Sequence, residues 1–215
     1  MQEQNNLNLI DALEWRYACK QFDSSKKVSS KDIEYLKRTV QLAASSYGLQ
    51  AYRILIIEDP IIKRKLVKAS YNQGQVEECS HLFVFCNFVN ISPKDIDYFI
   101  ALNSNITGKS MKALEGFQNH LNGAMKSKSQ EAMKLYTNKQ CYIALANLLI
   151  ACGTLQIDAC PMEGIIPASY NEILNLDKQG LNASLACPVG YRHPDDKYQY
   201  IKKVRKPKDN LFKHI

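Results

Sequence analysis

TNKQCYIALANLLIACG (137–153), followed at once by TLQIDACPMEGI (154–165), is the stretch on which the fold reading turns. From Ile143 to Cys152 the apolar residues occupy nearly every side of a helix instead of one stripe, which predicts burial on all sides. Thr137 and Gln140 have capping-box spacing and mark the expected start. The run is too short for a membrane span, so it predicts the central helix of a globular core. The loop behind it sets a thiol, a proline, a thioether, a carboxylate and a glycine side by side, from Cys160 to Gly164. A cysteine nucleophile or a glutamate acid would want a histidine, a carboxylate or a helix start nearby, and the local sequence offers none.

Working outward, residues 7–19 read as a first helix with Leu7, Ile10 and Leu13 on one stripe. A second follows Ser29 and Asp32, which stand as a capping box, and runs with helical spacing to Ser45, with Gly48 as its stop. RILIIED (53–59) reads as a strand, and Pro60 opens a short helix through Ala69. HLFVFCNFV (81–89) reads as a strand apolar on both faces and therefore central. His81 at its start suits a satisfied structural role. From Pro93 to Tyr136 the pattern is helical but less apolar, broken at Gly108, Gly116 and Gly123, and reads as an excursion from the core. Ser169 and Glu172 open a last helix through Leu176, and SLACPVGYR (184–192) is a third strand. The sum is an α+β layer around a buried central helix, one domain over 1–215 with no linker composition to divide it.

Composition narrows the function. The 215 residues with 46% hydrophobic content support a substantial core. Seven cysteines at irregular spacing, without a C-x-x-C pair, disfavour zinc and disulfide frameworks, and no metal site is expected. The N-terminus lacks a secretory pattern, so a cytoplasmic protein without membrane association is expected. The net charge of +7 is spread along the chain, densest in IKKVRKPKDNLFKHI (201–215). The glycine-rich and H-E-x-x-H signatures of Rossmann enzymes, P-loop NTPases and zincins are all missing.

Four distant segments then make sense together: RYACKQFD (16–23), ASSYGLQAY (44–52), YNQGQVEECSH (71–81) and KKVRKP (202–207). Arg16 and Lys20 are spaced to share a face if the first helix continues past them, and Lys203 and Arg205 to share a face of an extended segment. Singly, each segment has a bland reading. In this order, with Pro-Met-Glu-Gly after the long helix, they resemble the nitroreductase family of flavoproteins over nearly the whole chain. The resemblance implies a mostly antiparallel central sheet flanked by helices, in an intertwined homodimer that shares two FMN sites.

It also implies roles. Arg16, Lys203 and Arg205 match the cations that clamp the FMN phosphate, and Lys20 matches the lysine at the pyrimidine edge that stabilises the reduced ring. Tyr17 and Ala18 stand where some relatives have His-Ser. Asn72 and Gln75 match positions that bond the ring and ribityl chain; some relatives have lysine where Gln75 stands. Pro161, Met162, Glu163 and Gly164 match the loop lying on the isoalloxazine, with a backbone N–H of Glu163 or Gly164 aimed at N5. Ser45 and Ser46 match residues supplied by the second subunit, and 203–215 an arm that embraces it. Ala51 and Tyr52 depart from a common proline–tryptophan pair.

The implied activity is hydride transfer from NADH or NADPH through flavin to a small electron-poor acceptor, a nitroaromatic or quinone, in ping-pong order, with the excursion at 93–136 facing the substrate. The backbone of the PMEG loop would act, Cys160 being a packed bystander. Two alternatives remain open: another flavin reaction on the same fold, such as reductive dehalogenation or flavin fragmentation, and a non-enzymatic basic binding protein. No nucleic acid partner is expected.

Overall fold

The structure is a computed structural model that describes residues 8–215. Helices α1 (Leu9–Trp15) and α2 (Ser30–Gln41) precede strand β1 (Tyr52–Ile57). Next come α3 (Pro60–Lys68), the short α4 (Gln75–Glu78) and β2 (His81–Phe88). Helices α5 (Pro93–Thr107), α6 (Met111–Lys126) and α7 (Gln130–Thr154) follow, then β3 (Asp158–Ala159), α8 (Pro167–Leu174) and β4 (Leu181–Gly190). The strands form one antiparallel sheet in the order β1-β2-β4-β3, so β2 is interior as its two-sided apolarity requires.

Alternate residues of β2 feed two separate cores. Phe83 and Phe85 pack with α2 and α7 through Leu36, Val40, Ala144 and Leu148. Leu82, Val84 and Cys86 face the other layer, with Leu66, Val76 and Tyr170 from α3, α4 and α8. Strand β4 does the same across a register shift opposite Phe85/Cys86. The extra residue there changes parity, so that Ala183 and Ala186 enter one core while Leu185, Cys187 and Val189 enter the other. A third cluster joins α5 and α6 through Ile96, Ile100, Leu114 and Leu121, which gives the less apolar stretch its own small core. All seven cysteines are buried and unpaired, as small core residues. No helix among the described residues is long and apolar enough to cross a membrane.

Several sequence expectations are corrected. Helix α1 stops at Trp15, not residue 19, and the expected start at Leu7 lies outside the described residues. Arg16 is extended, Ala18 bridges to Ala159 in parallel, and Phe22 bridges to Arg192. Arg16 and Lys20 therefore do not share a helix face. The physical reason is competition for backbone groups. The Lys20 and Gln21 N–H groups, which a continuing helix would use, donate to the Asp196 carboxylate at 2.9 and 3.3 Å. Ile10 and Leu13 are exposed, and the buried contact of α1 is Ala12 against Gly153, where a Cβ would come within 2.9 Å of the Ala12 carbonyl oxygen.

Thr137 does not begin α7. Ser129 caps it by accepting from the Ala132 N–H, and Thr137 is a buried mid-helix residue whose hydroxyl donates to the Phe88 and Met133 carbonyls at 2.7 and 3.1 Å. Nor is α7 buried all round, because Leu135, Tyr142, Ile143 and Ala146 are exposed. Gly108 does end α5 in a left-handed cap, whereas Gly116 and Gly123 lie within α6. Helix α8 opens at Pro167 rather than Ser169.

Candidate functional site

The expected site residues converge in two groups on opposite sides of α7. The first group gathers around the loop 160–164. Met162 pins this loop to β4 through both its backbone groups, paired with Ala186 at 2.8 and 3.0 Å. The Gly164 carbonyl accepts from Gln73 Nε2 at 3.0 Å, and a Cβ at Gly164 would meet that same nitrogen at 2.9 Å. A side chain at Gly164 would have to push the Gln73 amide aside and so break its bond to the Gly164 carbonyl. The N–H groups of Glu163 and Gly164, between these anchors, find no acceptor among the described residues.

Beneath the loop, Cys160 is fully buried. Lys20 Nζ lies 3.6 Å from its sulfur and Gln75 Nε2 4.0 Å. Burial pushes the thiol's pKa up, with Lys20 pulling against it, so Cys160 is a neutral packed group. Gln75 also donates to Gln73 Oε1 at 2.9 Å, which links the third segment to the loop in a short amide relay. Asn72 is exposed on the same connection, and both it and Tyr71 adopt left-handed backbone conformations, φ 59° and 52°. Such conformations are uncommon for residues other than glycine and often mark ligand-facing loops. The Glu163 carboxylate accepts from Tyr142 Oη at 2.8 Å. Burial and this carboxylate push the Tyr142 phenol up to about 12, so it stays a donor.

The basic residues arrive from both chain ends. Burial first, then the neighbouring Arg205 cation, lower the pKa of Arg16; burial, Arg16 and Arg205 lower that of Lys203. Arg205 bears on both Arg16 and Lys203, so three cations lie close together, an arrangement that suits an anion. Lys203 also ties the ends together. Its ammonium donates to the Leu13 and Glu14 carbonyls at 2.6 and 3.0 Å and to that of Arg16, the orphan acceptors at the end of α1. Among the described residues Arg205 donates only to its neighbour's carbonyl, Val204, at 2.7 Å.

Tyr17 and Ala18 lie in the same segment, both half-buried against the core. The Tyr17 hydroxyl donates to Asp196 at 3.0 Å and its ring stacks 4.6 Å from the Arg192 guanidinium, while Ala18 is engaged with Ala159.

The second group is the loop 45–50, where Ser45 Oγ accepts from the Gln50 N–H at 3.0 Å and Ser46 N–H donates to Gln140 Oε1 at 2.8 Å. Gln140 and Tyr142 are two residues apart on α7, so they point about 200° apart. The serine loop and the 160–164 loop therefore flank the helix from opposite sides within one chain. Tyr47 and Gln50 in this loop are again left-handed.

Sequence reasoning missed Asp196, Gln73 and Tyr142, which hold the segments in place. All three act on backbone or side-chain partners far away in sequence, so no local spacing could have signalled them.

Comparison with known proteins gives the family. A nitroreductase family model matches residues 13–191. The major NAD(P)H-flavin oxidoreductase of Aliivibrio fischeri is 30% identical over 198 residues, covering 88% of this chain and 90% of that protein. Among solved structures, a protein described as a nitroreductase in complex with FMN, from Exiguobacterium sibiricum, superposes with a TM-score of 0.84 at 18% identity over 99% of both chains. A nitroreductase family protein from Streptococcus pneumoniae gives 0.80 at 19% identity, covering 97% of this chain and 100% of that one. By the family match across most of its length and by its fold, the chain belongs to the nitroreductase family.

Proposed function

We propose that the protein is an FMN-dependent oxidoreductase that takes electrons from NADH or NADPH and passes them to a small electron-poor acceptor. The observation that carries this is the convergence of Arg16, Lys203 and Arg205 from the two chain ends, with Arg16 and Lys20 both within electrostatic reach of Cys160 beneath the 160–164 loop. Three clustered cations suit a phosphate dianion, and a loop with two unpaired N–H donors suits the edge of a planar heterocycle. The residues present fit FMN on both counts. The Aliivibrio fischeri relative is named for NAD(P)H and flavin, and the Exiguobacterium sibiricum protein is described with FMN.

Bound FMN would supply hydride acceptance and hydride donation in two half-reactions. The chain's own groups bind and orient. Arg16 and Arg205 would hold the phosphate, and Lys203 would add charge while locking the two ends together. Lys20 would offer the ring a cation that favours an anionic reduced form. Asn72 and Gln75 would supply amide contacts, and the backbone N–H groups of Glu163 and Gly164 would donate to the ring. The Glu163 side chain, accepting from Tyr142, is engaged elsewhere. Tyr17 and Ala18 contribute backbone alone.

The site is completed by a second copy of the chain. Ser45 and Ser46 lie across α7 from the loop they are expected to complement, and only a partner brings such surfaces together. Tyr142 and Ile143 on α7, Leu9, Ile10 and Leu13 on α1, and Leu211 and Phe212 in the C-terminal arm are exposed, and a homodimer would cover them.

The test is a visible absorption spectrum of protein incubated with FMN and desalted, followed by NADH or NADPH under anaerobic conditions. A retained yellow chromophore that bleaches with either donor is expected. Protein that stays colourless after reconstitution would sink the reading.

A further inference from the structure

Asp196 is only 2% exposed, yet no cationic side chain among the described residues is bonded to it. Its Oδ2 accepts from three donors of the segment that carries Arg16 and Lys20: Tyr17 Oη at 3.0 Å, Lys20 N–H at 2.9 Å and Gln21 N–H at 3.3 Å. Its Oδ1 accepts from the Tyr198 N–H at 3.0 Å, which starts the 3-10 turn Lys197–Tyr200. That turn launches the run to Lys203 and Arg205. One buried carboxylate thus gathers both chain ends at the place where their cations meet.

The arrangement has a specific consequence. The backbone of residues 16–21 is kept out of a helix because the Lys20 and Gln21 N–H groups are taken by Asp196 and the Cys19 N–H by the Ala159 carbonyl, and this extended course decides where the Arg16 and Lys20 side chains leave the chain. The same carboxylate caps the turn that aims Lys203 back onto the end of α1. A buried anion bonded by several N–H and O–H donors holds such geometry more tightly than a neutral group. An asparagine in its place keeps the size but turns an N–H₂ toward either the three donors or the one.

We propose that Asp196 is a positioning residue for the cofactor site, setting the geometry of the Arg16, Lys203 and Arg205 cluster and hence the affinity for the phosphate of the bound flavin. This rests on the flavin reading above. Asp196 acts through Tyr17, Lys20, Gln21 and Tyr198, never on the cofactor directly. Of the cations it positions, Arg16, Lys203 and Arg205 serve the phosphate and only Lys20 the ring, so the effect is larger on ligands that carry the phosphate.

The experiment is a fluorescence-quenching titration of the full-length apoprotein with FMN and, in parallel, with riboflavin, which lacks the phosphate. Asp196→Asn is expected to weaken FMN about tenfold, the equivalent of one charge-assisted hydrogen bond, and to leave riboflavin within about twofold. Equal weakening of both ligands, or no change in either, overturns the proposal. If Asp196→Asn does not fold by circular dichroism, Tyr17→Phe decides: it removes one donor and keeps the ring on Arg192. A loss of FMN affinity with riboflavin unchanged is expected there, and unchanged FMN affinity overturns the proposal. Wild-type protein that binds neither ligand would sink the flavin reading itself, an outcome distinct from normal wild-type binding with indifferent variants.

Discussion

Asp158→Ala offers a test of how the site's scaffold is held. Asp158, 3% exposed, accepts from the Arg192 N–H at 2.8 Å and from Arg192 Nε at 2.9 and 3.1 Å. Arg192 Nη2 adds an ion-pair contact at 2.7 Å without hydrogen-bond alignment. The guanidinium lies 4.3 Å from the Trp15 ring centroid and 4.6 Å from that of Tyr17, so the pair staples the Arg16 segment to β3. Removing the carboxylate leaves a largely buried cation and a backbone donor unpaired, which costs about 3–5 kcal/mol when a buried pair is broken from one side. Arg192 keeps 22% side-chain exposure and two aromatic faces, which favours the lower end, about 3 kcal/mol. Against a total stability of about 5–15 kcal/mol that is a large fraction. Equilibrium urea unfolding at fixed protomer concentration should show the midpoint falling by about 1–3 M. The double variant Asp158→Leu with Arg192→Met should recover most of the loss, because both charges go together. A single-variant cost below about 1 kcal/mol would refute the reasoning.

Further outcomes follow from other groups. Arg205→Ala should weaken FMN about tenfold in a fluorescence titration, since its guanidinium has only the Val204 carbonyl as a partner and is free for the phosphate; unchanged affinity removes it from the clamp. Cys160→Ala should leave turnover of a flavin-loaded enzyme nearly intact at a stability cost of about 1 kcal/mol, because the thiol is a neutral core group; loss of turnover with flavin retained would make the thiol chemical. Burial lowers the His81 pKa from 6.5 even with Glu58 at 3.3 Å. A depressed folded-state value means its stabilisation is full above 6.5 and fades as the pH falls, so His81→Gln should flatten stability between about pH 7 and 5 in urea midpoints. Ile143→Asp should shift the protein toward half its size in gel filtration if the open face of α7 is the contact between copies; an unchanged elution volume moves that contact elsewhere.

How much of this was legible depends on where the decisive partner lies. Strand β2 could be placed at the centre because its two-sided apolarity is a property of its own residues, and each side meets a separate core. The start of α7 could not. Thr137 and Gln140 carry capping-box chemistry, but the Thr137 hydroxyl is used on Phe88 and the Gln140 amide oxygen on Ser46, both brought in by tertiary structure. Gly116 and Gly123 read as breaks, yet nothing lies within 4 Å of a Cβ built on either. Their cost of about 1 kcal/mol each is carried by the burial of Leu114, Leu121 and Met125 on the same helix.

The candidate site divides the same way. Arg16, Lys20, Lys203 and Arg205 stand out among 28 lysines and arginines only through the resemblance in motif order, since charge alone does not separate them from the rest. Their conformation is what spacing misreads: the i,i+4 spacing of Arg16 and Lys20 looks helical, but Ala18 and Cys19 pair with Ala159 and Asp196 takes the Lys20 and Gln21 N–H groups. That carboxylate leaves no trace in sequence, since three of the four donors it binds come from a segment at the opposite end of the chain. The uncovered faces of α7 have the same origin. A helix apolar all round predicts full burial only if one chain supplies every neighbour, and Tyr142 and Ile143 are left open in this one. The proposed homodimer accounts for this better than one chain does: the exposed residues of the helix are those a second copy would cover, on the helix that separates the two halves of the proposed site.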